Sequence, residues 1–385
     1  MKSGAAGKLV GIAVYQVDLP LREGGYSHSG GRHYSSLDST IVALQTESGL
    51  VGWGEICPFG SNYVAAFAKG ARAAIAELAA SLLGMPAENV TAINMAMDRA
   101  LYGHPYAKSA IDMACWDIVG KSWAQPLYKL FGGKVANELP LTASLSYLDS
   151  HASIEEQLAD AMVRRRAEGH RIFKIKATGN VRQDIDNIRL LSSKASKTET
   201  LIMDGNGGWL QGEAIEVGNA VRGENILFDQ PCASYDESLA FRRTTGHRLM
   251  LDEAVTDAQV LFRAISDRAA DVVSLKISRV GGLSKARILR DICMEAGLAV
   301  EIRDTAGSEI AGAATAHLGH STNPRYLSNV WNCASVVTIR TCEGGPMEAN
   351  GSLQASAIVG LGVAPINSIL GEPVHVYGSY QAELT

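Results

Sequence analysis

Arg171-Ile172-Phe173-Lys174-Ile175-Lys176 opens the stretch on which the fold turns. The stretch continues through Leu201-Ile202-Met203-Asp204-Gly205-Asn206, Ile226-Leu227-Phe228-Asp229, Leu249-Met250-Leu251-Asp252-Glu253 and Val272-Val273-Ser274-Leu275-Lys276, and closes at Gly281-Gly282. Each ionisable group ends a short apolar run, and such runs read as buried strands. Lys176, Asp204, Asp229, Asp252 and Lys276 follow one another at steps of 28, 25, 23 and 24 residues. A (β/α)8 barrel of roughly 250 residues repeats its strand–helix unit about every 30 residues and carries its active site where the C-terminal strand ends converge. The spacing predicts five successive barrel strands that present Lys, Asp, Asp, Asp and Lys to one mouth.

Outward from this stretch, residues 139–145 read as the first barrel strand and residues 154–168 as its helix. Ser153 and Glu156 have the spacing of a capping box at that helix start. Residues 298–303 and 326–331 read as the seventh and eighth strands, so the barrel is expected over residues 136–338. Upstream, residues 1–135 read as an α+β cap. Three strands are expected at residues 8–17, 39–46 and 52–57, and helices at 65–83 and 108–131. Two loops, residues 24–34 and 58–63, carry Tyr26, Phe59 and Tyr63 and can cover the mouth. The tail, residues 339–385, is rich in Gly and Pro and is expected to return to the cap.

Composition narrows the function. The chain has 385 residues, 46% of them hydrophobic, and a net charge of −5. That is enough for two domains with an ordinary core, and it argues against nucleic acid as a partner. No run of 18 apolar residues is present, so no membrane span is expected. The N-terminus lacks a secretory apolar region. Six cysteines lie scattered without paired spacing, which fits reduced thiols and a cytoplasmic location.

The constellation has a chemistry of its own. Three carboxylates at adjacent strand ends repel one another unless a cation sits between them. Mg2+, a hard ion that takes oxygen ligands, is the predicted occupant of Asp204, Asp229 and Asp252. The plainer alternative makes each Asp an N-cap of the following helix, and Asn206 can cap or touch the site. Lys174 and Lys176 have period-two spacing and point to one face of their strand. A lysine near another cation has its charged form disfavoured, so a lowered pKa and a role as base are expected for Lys176 and Lys276. Lys174 is read as an electrostatic partner in the substrate site. Two lysines on opposite faces of a bound carbon can take and return its proton. The resulting enediolate needs a metal or an equivalent oxyanion site.

With these residues in place, the chain resembles the enolase superfamily, in its muconate-lactonizing and mandelate-racemase branches. The superfamily's use of Lys or His bases with Mg2+ is a standard example of pKa tuning. The resemblance covers nearly the whole chain and implies a (β/α)7β barrel with an N-terminal α+β capping domain. It maps the Lys-x-Lys pair on Lys174 and Lys176, the metal carboxylates on Asp204, Asp229 and Asp252, and the lysine before Gly-Gly on Lys276. It implies one Mg2+ per subunit and a homo-oligomer. The second ligand of the family is usually Glu; Asp229 is shorter, which implies a shifted metal or an extra water. Strand seven offers Glu301, Arg303 and Asp304 but no His, leaving Lys176 and Lys276 as the acid–base pair.

Residues 26–32, Gly52-Trp53-Gly54-Glu55, residues 106–117 and Val330-Trp331 are similar to the branch that acts on proline derivatives. That branch includes cis-3-hydroxy-L-proline dehydratases and hydroxyproline-betaine 2-epimerases. The implied substrate is a proline-type carboxylate, and dehydration of cis-3-hydroxy-L-proline is the leading expectation. A 2-epimerase is the first rival and a non-catalytic metal-binding barrel the second. A ring ammonium wants an aromatic face or an anion, which Trp331 and Asp304 can supply, with Tyr26 and Tyr63 closing over them. Trp331 can equally be packing at the barrel rim.

Overall fold

The computed structural model describes residues 6–28, 32–145, 147 and 152–381. Eight parallel strands form its central sheet: β1 (Thr142–Leu145), β2 (Ile172–Lys176), β3 (Thr200–Asp204), β4 (Ile226–Asp229), β5 (Arg248–Leu251), β6 (Val272–Lys276), β7 (Ala299–Arg303) and β8 (Leu327–Val330). Each pairs with its sequence neighbours, and a parallel bridge between Leu141 and Val330 closes the ring. Helices fill every connection between β1 and β8, from Ile154–Ala167 to Glu309–His320. After β8 a short 3-10 turn, Cys333–Val336, stands in place of an eighth barrel helix.

The barrel interior is layered by the period-two rule of strands. Ile202, Leu227, Met250 and Val272 pack together as an apolar floor, with Ile172 and Ala299 beside them. Two residues further along the strands come Lys174, Asp204, Asp229, Asp252, Ser274 and Glu301. Lys176, Lys276 and Arg303 follow at the ends of β2, β6 and β7. All of these polar groups are buried. The same alternation that puts Ile202 in the floor therefore puts Asp204 above it. The opposite strand faces carry Phe173, Leu201, Phe228 and Leu275, which join the outer core with the helices.

The capping domain is built on three antiparallel strands, Leu9–Pro20, Ser36–Thr46 and Val51–Ile56. A fourth, His375–Gly378, comes from the C-terminal segment and pairs with Leu9–Pro20. Helices Ala68–Leu82, Val90–Ala100 and Pro105–Ser122 cover the sheet. Gly52 and Gly54 let the last of these helices lie directly on the strand; a Cβ at Gly54 would sit 1.9 Å from the Ala110 carbonyl oxygen.

Two local expectations are corrected. The long helix expected over residues 108–131 breaks after Ser122. Ala124 takes a left-handed conformation (φ 51°), and Pro126 precedes a separate turn, Leu127–Leu130. Proline lacks the amide a helix needs and disfavours helical geometry in the residue before it. The polar loop at residues 24–34 contains a short pair of strands, Tyr26–His28 with Arg32–Tyr34. Residues 29–31 of the segment 26–32 lie outside the described residues.

Candidate active site

The ends of β3, β4 and β5 are shaped by their turns. Asn206 and Gln230 both take positive φ, 43° and 36°, a conformation that non-glycine residues adopt only when their surroundings hold it. The Gln230 side chain does this: its amide donates to Cys232 O, and its carbonyl accepts from the backbone N–H of Asp252 and Ala254. One turn thus positions the next strand's carboxylate. Gly205 is required by the same crowding, because a Cβ there would lie 2.8 Å from Pro231 Cα.

None of the three aspartates caps a helix. The following helices begin after Leu210, Ser234 and Asp257 instead. Each aspartate is drawn to a cation. Lys176 Nζ donates to Asp204 Oδ2 at 2.6 Å and to Asn206 Oδ1 at 3.0 Å. Lys174 Nζ donates to Asp229 Oδ2 at 2.9 Å and to Glu301 Oε1 at 3.0 Å. Lys276 Nζ is 2.7 Å from Asp252 Oδ2, and Arg279 Nη1 is 2.6 Å from Asp252 Oδ1. Among the described residues the aspartates do not form a ready three-ligand cluster.

The electrostatics of the three differ. Burial opposes ionisation of Asp204, but Lys176 and Lys174 outweigh it and hold the carboxyl below its ordinary value. Asp252 is held well below by Lys276, Arg279 and Arg303, again against burial. Asp229 goes the other way. Burial and the nearby Asp204 push it well above the carboxylate range, and Lys174 offsets only part of this. Asp229 Oδ1 is also buried without a hydrogen-bond partner. A buried lone pair of that kind calls for an explanation. A divalent cation would supply one, giving the orphan oxygen a partner and the crowded carboxylates a counter-charge. The donor set thus fits a hard metal ion.

The lysines are corrected in part. Burial pushes Lys276 down to about 8, with the Arg279 guanidinium adding to the effect. Lys176 was expected to fall likewise. Burial does act that way, yet the Asp204 carboxylate outweighs it and leaves Lys176 above the ordinary lysine value. Lys174 is also raised, by Asp229 and Glu301 against burial. The adjacent acids, not the adjacent lysine, decide the sign.

Two tyrosines from the cap sit over the two lysines. The Tyr26 ring centroid is 5.6 Å from Lys176 Nζ, and the Tyr63 ring centroid is 5.1 Å from Lys276 Nζ. Phe59 lies between them, 5.1 Å from Tyr26 and 6.4 Å from Tyr63. Tyr63 is further tied to the barrel. It accepts from Lys276 at 2.7 Å and donates to Glu253 Oε1 at 2.5 Å, and Asn206 Nδ2 reaches the same Glu253 oxygen at 3.0 Å. Glu253, Arg279, Glu301 and Arg303 also belong to the site, although none of them was among the expected metal, acid–base or substrate-binding residues. Arg279 had a signal, since it lies one helical turn beyond Lys276.

Trp331 and Asp304 are both buried at the barrel rim. The Arg303 guanidinium lies over the Trp331 ring, 4.5 Å from its centroid. That face therefore holds a protein cation, not an open seat for a ring ammonium. Asp304 Oδ1 accepts from Thr305 N, Ser278 N and the Ser278 hydroxyl, while its Oδ2 is buried and unpartnered. Burial raises Asp304 to about 6.

A parallel barrel with helices in all seven strand connections, a capping domain whose tyrosines reach its mouth, and charged ends on β2 through β7 is an enolase-type barrel. The chain belongs to the mandelate racemase/muconate lactonizing enzyme family of that superfamily: residues 32–132 match the N-terminal domain model of the family and residues 157–368 the enolase C-terminal domain-like model. It is 41% identical over 370 residues to cis-3-hydroxy-L-proline dehydratase of Roseibium aggregatum, covering 96% of this chain and 100% of that protein. It is 31% identical over 324 residues to N-succinyl-L-Arg/Lys racemase of Bacillus cereus, covering 82% and 84%. Among solved structures, a mandelate racemase/muconate lactonizing enzyme from Roseovarius nubinhibens superposes with a TM-score of 0.92 at 35% identity, over 97% of this chain and 100% of that one. An enolase superfamily member from the same organism, complexed with magnesium, gives 0.90 at 33% identity over 97% and 100%. No described helix is long and apolar enough to cross a membrane.

Proposed function

We propose that this protein is a Mg2+-dependent cis-3-hydroxy-L-proline dehydratase acting in the cytoplasm. The observation that carries this reading is the pair of buried lysines at the ends of β2 and β6, flanking the aspartates of β3, β4 and β5. The likeness to the Roseibium dehydratase along almost the whole chain supports the substrate class. Six cysteines, all free and buried, suit a reducing compartment.

Asp204, Asp229 and Asp252 would hold the ion. When bound, Mg2+ supplies charge stabilisation to the substrate carboxylate as C2 is deprotonated. The chain's own residues do the rest. In cis-3-hydroxy-L-proline the carboxylate and the hydroxyl share one ring face, so the C2 hydrogen lies on the other. Base and acid must then approach from opposite sides, as Lys176 and Lys276 can. Lys176 takes the C2 proton; Asp204, its present partner at 2.6 Å, would be one of the residues holding the ion, and a cation there would weaken the pull that keeps this amine charged. Lys276, lowered to about 8 by burial and the Arg279 guanidinium, is a stronger acid than an ordinary lysine. It gives its proton to the departing oxygen. The C3–O bond breaks, water leaves, and the C2–C3 enamine tautomerises to a Δ1-pyrroline-2-carboxylate. Tyr26, Phe59 and Tyr63 cover the lysines and exclude bulk water.

The test is incubation with cis-3-hydroxy-L-proline and Mg2+ in deuterated water. Formation of the pyrroline is the expected result. Recovered substrate labelled at C2, without elimination, supports the 2-epimerase reading instead, and no exchange from any proline derivative leaves a non-catalytic barrel. The protein is expected to assemble as a homo-oligomer.

A further inference from the structure

Arg303 ends β7 and is the register partner of Lys276 on β6, so both side chains rise on the same side of the sheet. It is buried, and its guanidinium is stacked on Trp331. Stacking fixes the plane of the fork and leaves its edge free to donate. Yet the neighbouring anions barely use it. Glu301 is already taken by Lys174 at 3.0 Å and by the Ser274 hydroxyl at 2.7 Å, and it lies 3.6 Å from Arg303 Nη1, beyond hydrogen-bond reach. The Asp304 carboxylate faces Ser278 and Thr305, and Arg303 reaches only its main-chain oxygen, from Nε at 3.4 Å. After Glu301, the groups that act on the guanidinium are Asp252, Tyr26 and Tyr63, so it faces the space beneath the two cap tyrosines. The fork thus directs few of its five donors to protein acceptors, and a guanidinium held flat by stacking with donors to spare suits a ligand oxygen.

We propose that Arg303 receives the oxygen that leaves C3. This rests on the dehydratase reading above. The aspartates occupy β3 to β5, so a carboxylate drawn to the cation they would hold would turn the ring toward β6, β7 and β8. C3 then lies on the side where Lys276 and Arg303 stand together. The guanidinium does not transfer a proton. It donates hydrogen bonds to the oxygen as the C3–O electron pair moves onto it, while the ammonium of Lys276 provides the proton that makes water. Arg303 is thereby the residue that directs the enediolate to elimination and away from simple reprotonation at C2.

Arg303→Lys and Arg303→Gln separate the two outcomes of the enediolate. With Mg2+ and cis-3-hydroxy-L-proline in deuterated water, both variants are expected to keep C2 exchange within about threefold of wild type. Pyrroline formation should fall by about 10²- to 10³-fold, the range for losing one preorganised donor. Lysine retains charge and most of the volume, so a change of partition in that variant is not a folding effect; near-ultraviolet circular dichroism checks the packing on Trp331. Equal loss of exchange and elimination would overturn the assignment, because Arg303 would then serve ground-state binding. Unchanged elimination would overturn it as well. Failure of the wild type to exchange or eliminate is a separate result and strikes the dehydratase reading itself.

Discussion

Lys276 of the barrel donates to the hydroxyl of Tyr63 from the capping domain across 2.7 Å, and the same hydroxyl donates onward to Glu253. The cap thus touches one acid–base lysine directly. Tyr63→Phe keeps the ring over Lys276 and removes both hydrogen bonds. We expect kcat to fall about tenfold while stability falls by about 1–3 kcal/mol, the range for hydrogen bonds to charged groups. Steady-state kinetics with a melting curve on the same preparation checks this.

The two lysines are expected to fail differently. Lys176→Ala should abolish C2 exchange of cis-3-hydroxy-L-proline, a loss of about 10²- to 10⁴-fold, while Mg2+ binding by calorimetry persists. Lys276→Ala should still exchange the C2 proton but eliminate poorly. Undiminished turnover in the first variant would contradict the role assigned to Lys176.

Asp229 carries a buried, unpartnered oxygen and a carboxyl pushed above its usual range by burial and Asp204. Asp229→Asn removes a charge that the metal-free protein disfavours. Its melting temperature without Mg2+ should therefore equal or exceed that of wild type. The rise produced by saturating Mg2+ should shrink, since ligand-linked stability follows affinity. A full Mg2+-induced shift in the variant would remove Asp229 from the ligand set.

His317 offers a pH test away from the site. It is fully buried and stacked on Tyr128 at 5.5 Å. Its Nδ1 accepts from Tyr128 N–H at 3.3 Å, so the proton must sit on Nε2, which donates to Leu361 O at 3.1 Å. Charging the ring would put a proton where an acceptor is needed. Burial lowers its pKa to about 4 from 6.5. Because the folded state binds the proton less readily, the contribution is intact above pH 6.5 and is lost as pH falls toward 4. Between pH 7 and 5 the cost is about 2 kcal/mol. Denaturant unfolding at the two pH values should show His317→Gln losing correspondingly less than wild type.

The barrel was readable because its strands carry a period-two code and end in charge. Ile202 and Asp204, or Leu227 and Asp229, are two residues apart and necessarily share the interior. Partnerships across the barrel were not readable. Lys174 meets Glu301 and Arg303 meets Trp331 only once the ring closes, and no local pattern joins β2 to β7. The sign of the Lys176 shift failed for the same reason: the neighbouring Lys174 is visible in sequence, whereas the 2.6 Å approach of Asp204 is a product of the fold. The break before Leu127 was legible in Pro126 but masked by the apolar run on either side. The fourth cap strand, His375–Gly378, has only a weak alternation and takes its place by pairing with residues near the other end of the chain.

That pairing has a consequence for biogenesis. Strand Leu9–Pro20 leaves the ribosome early, yet part of one edge stays open until His375–Gly378 arrives, after the entire barrel has been made. An uncovered edge is a template for wrong partners. The nascent cap must therefore be shielded or remain loose throughout translation, and removing the segment from His375 onward should yield aggregation of an otherwise complete barrel.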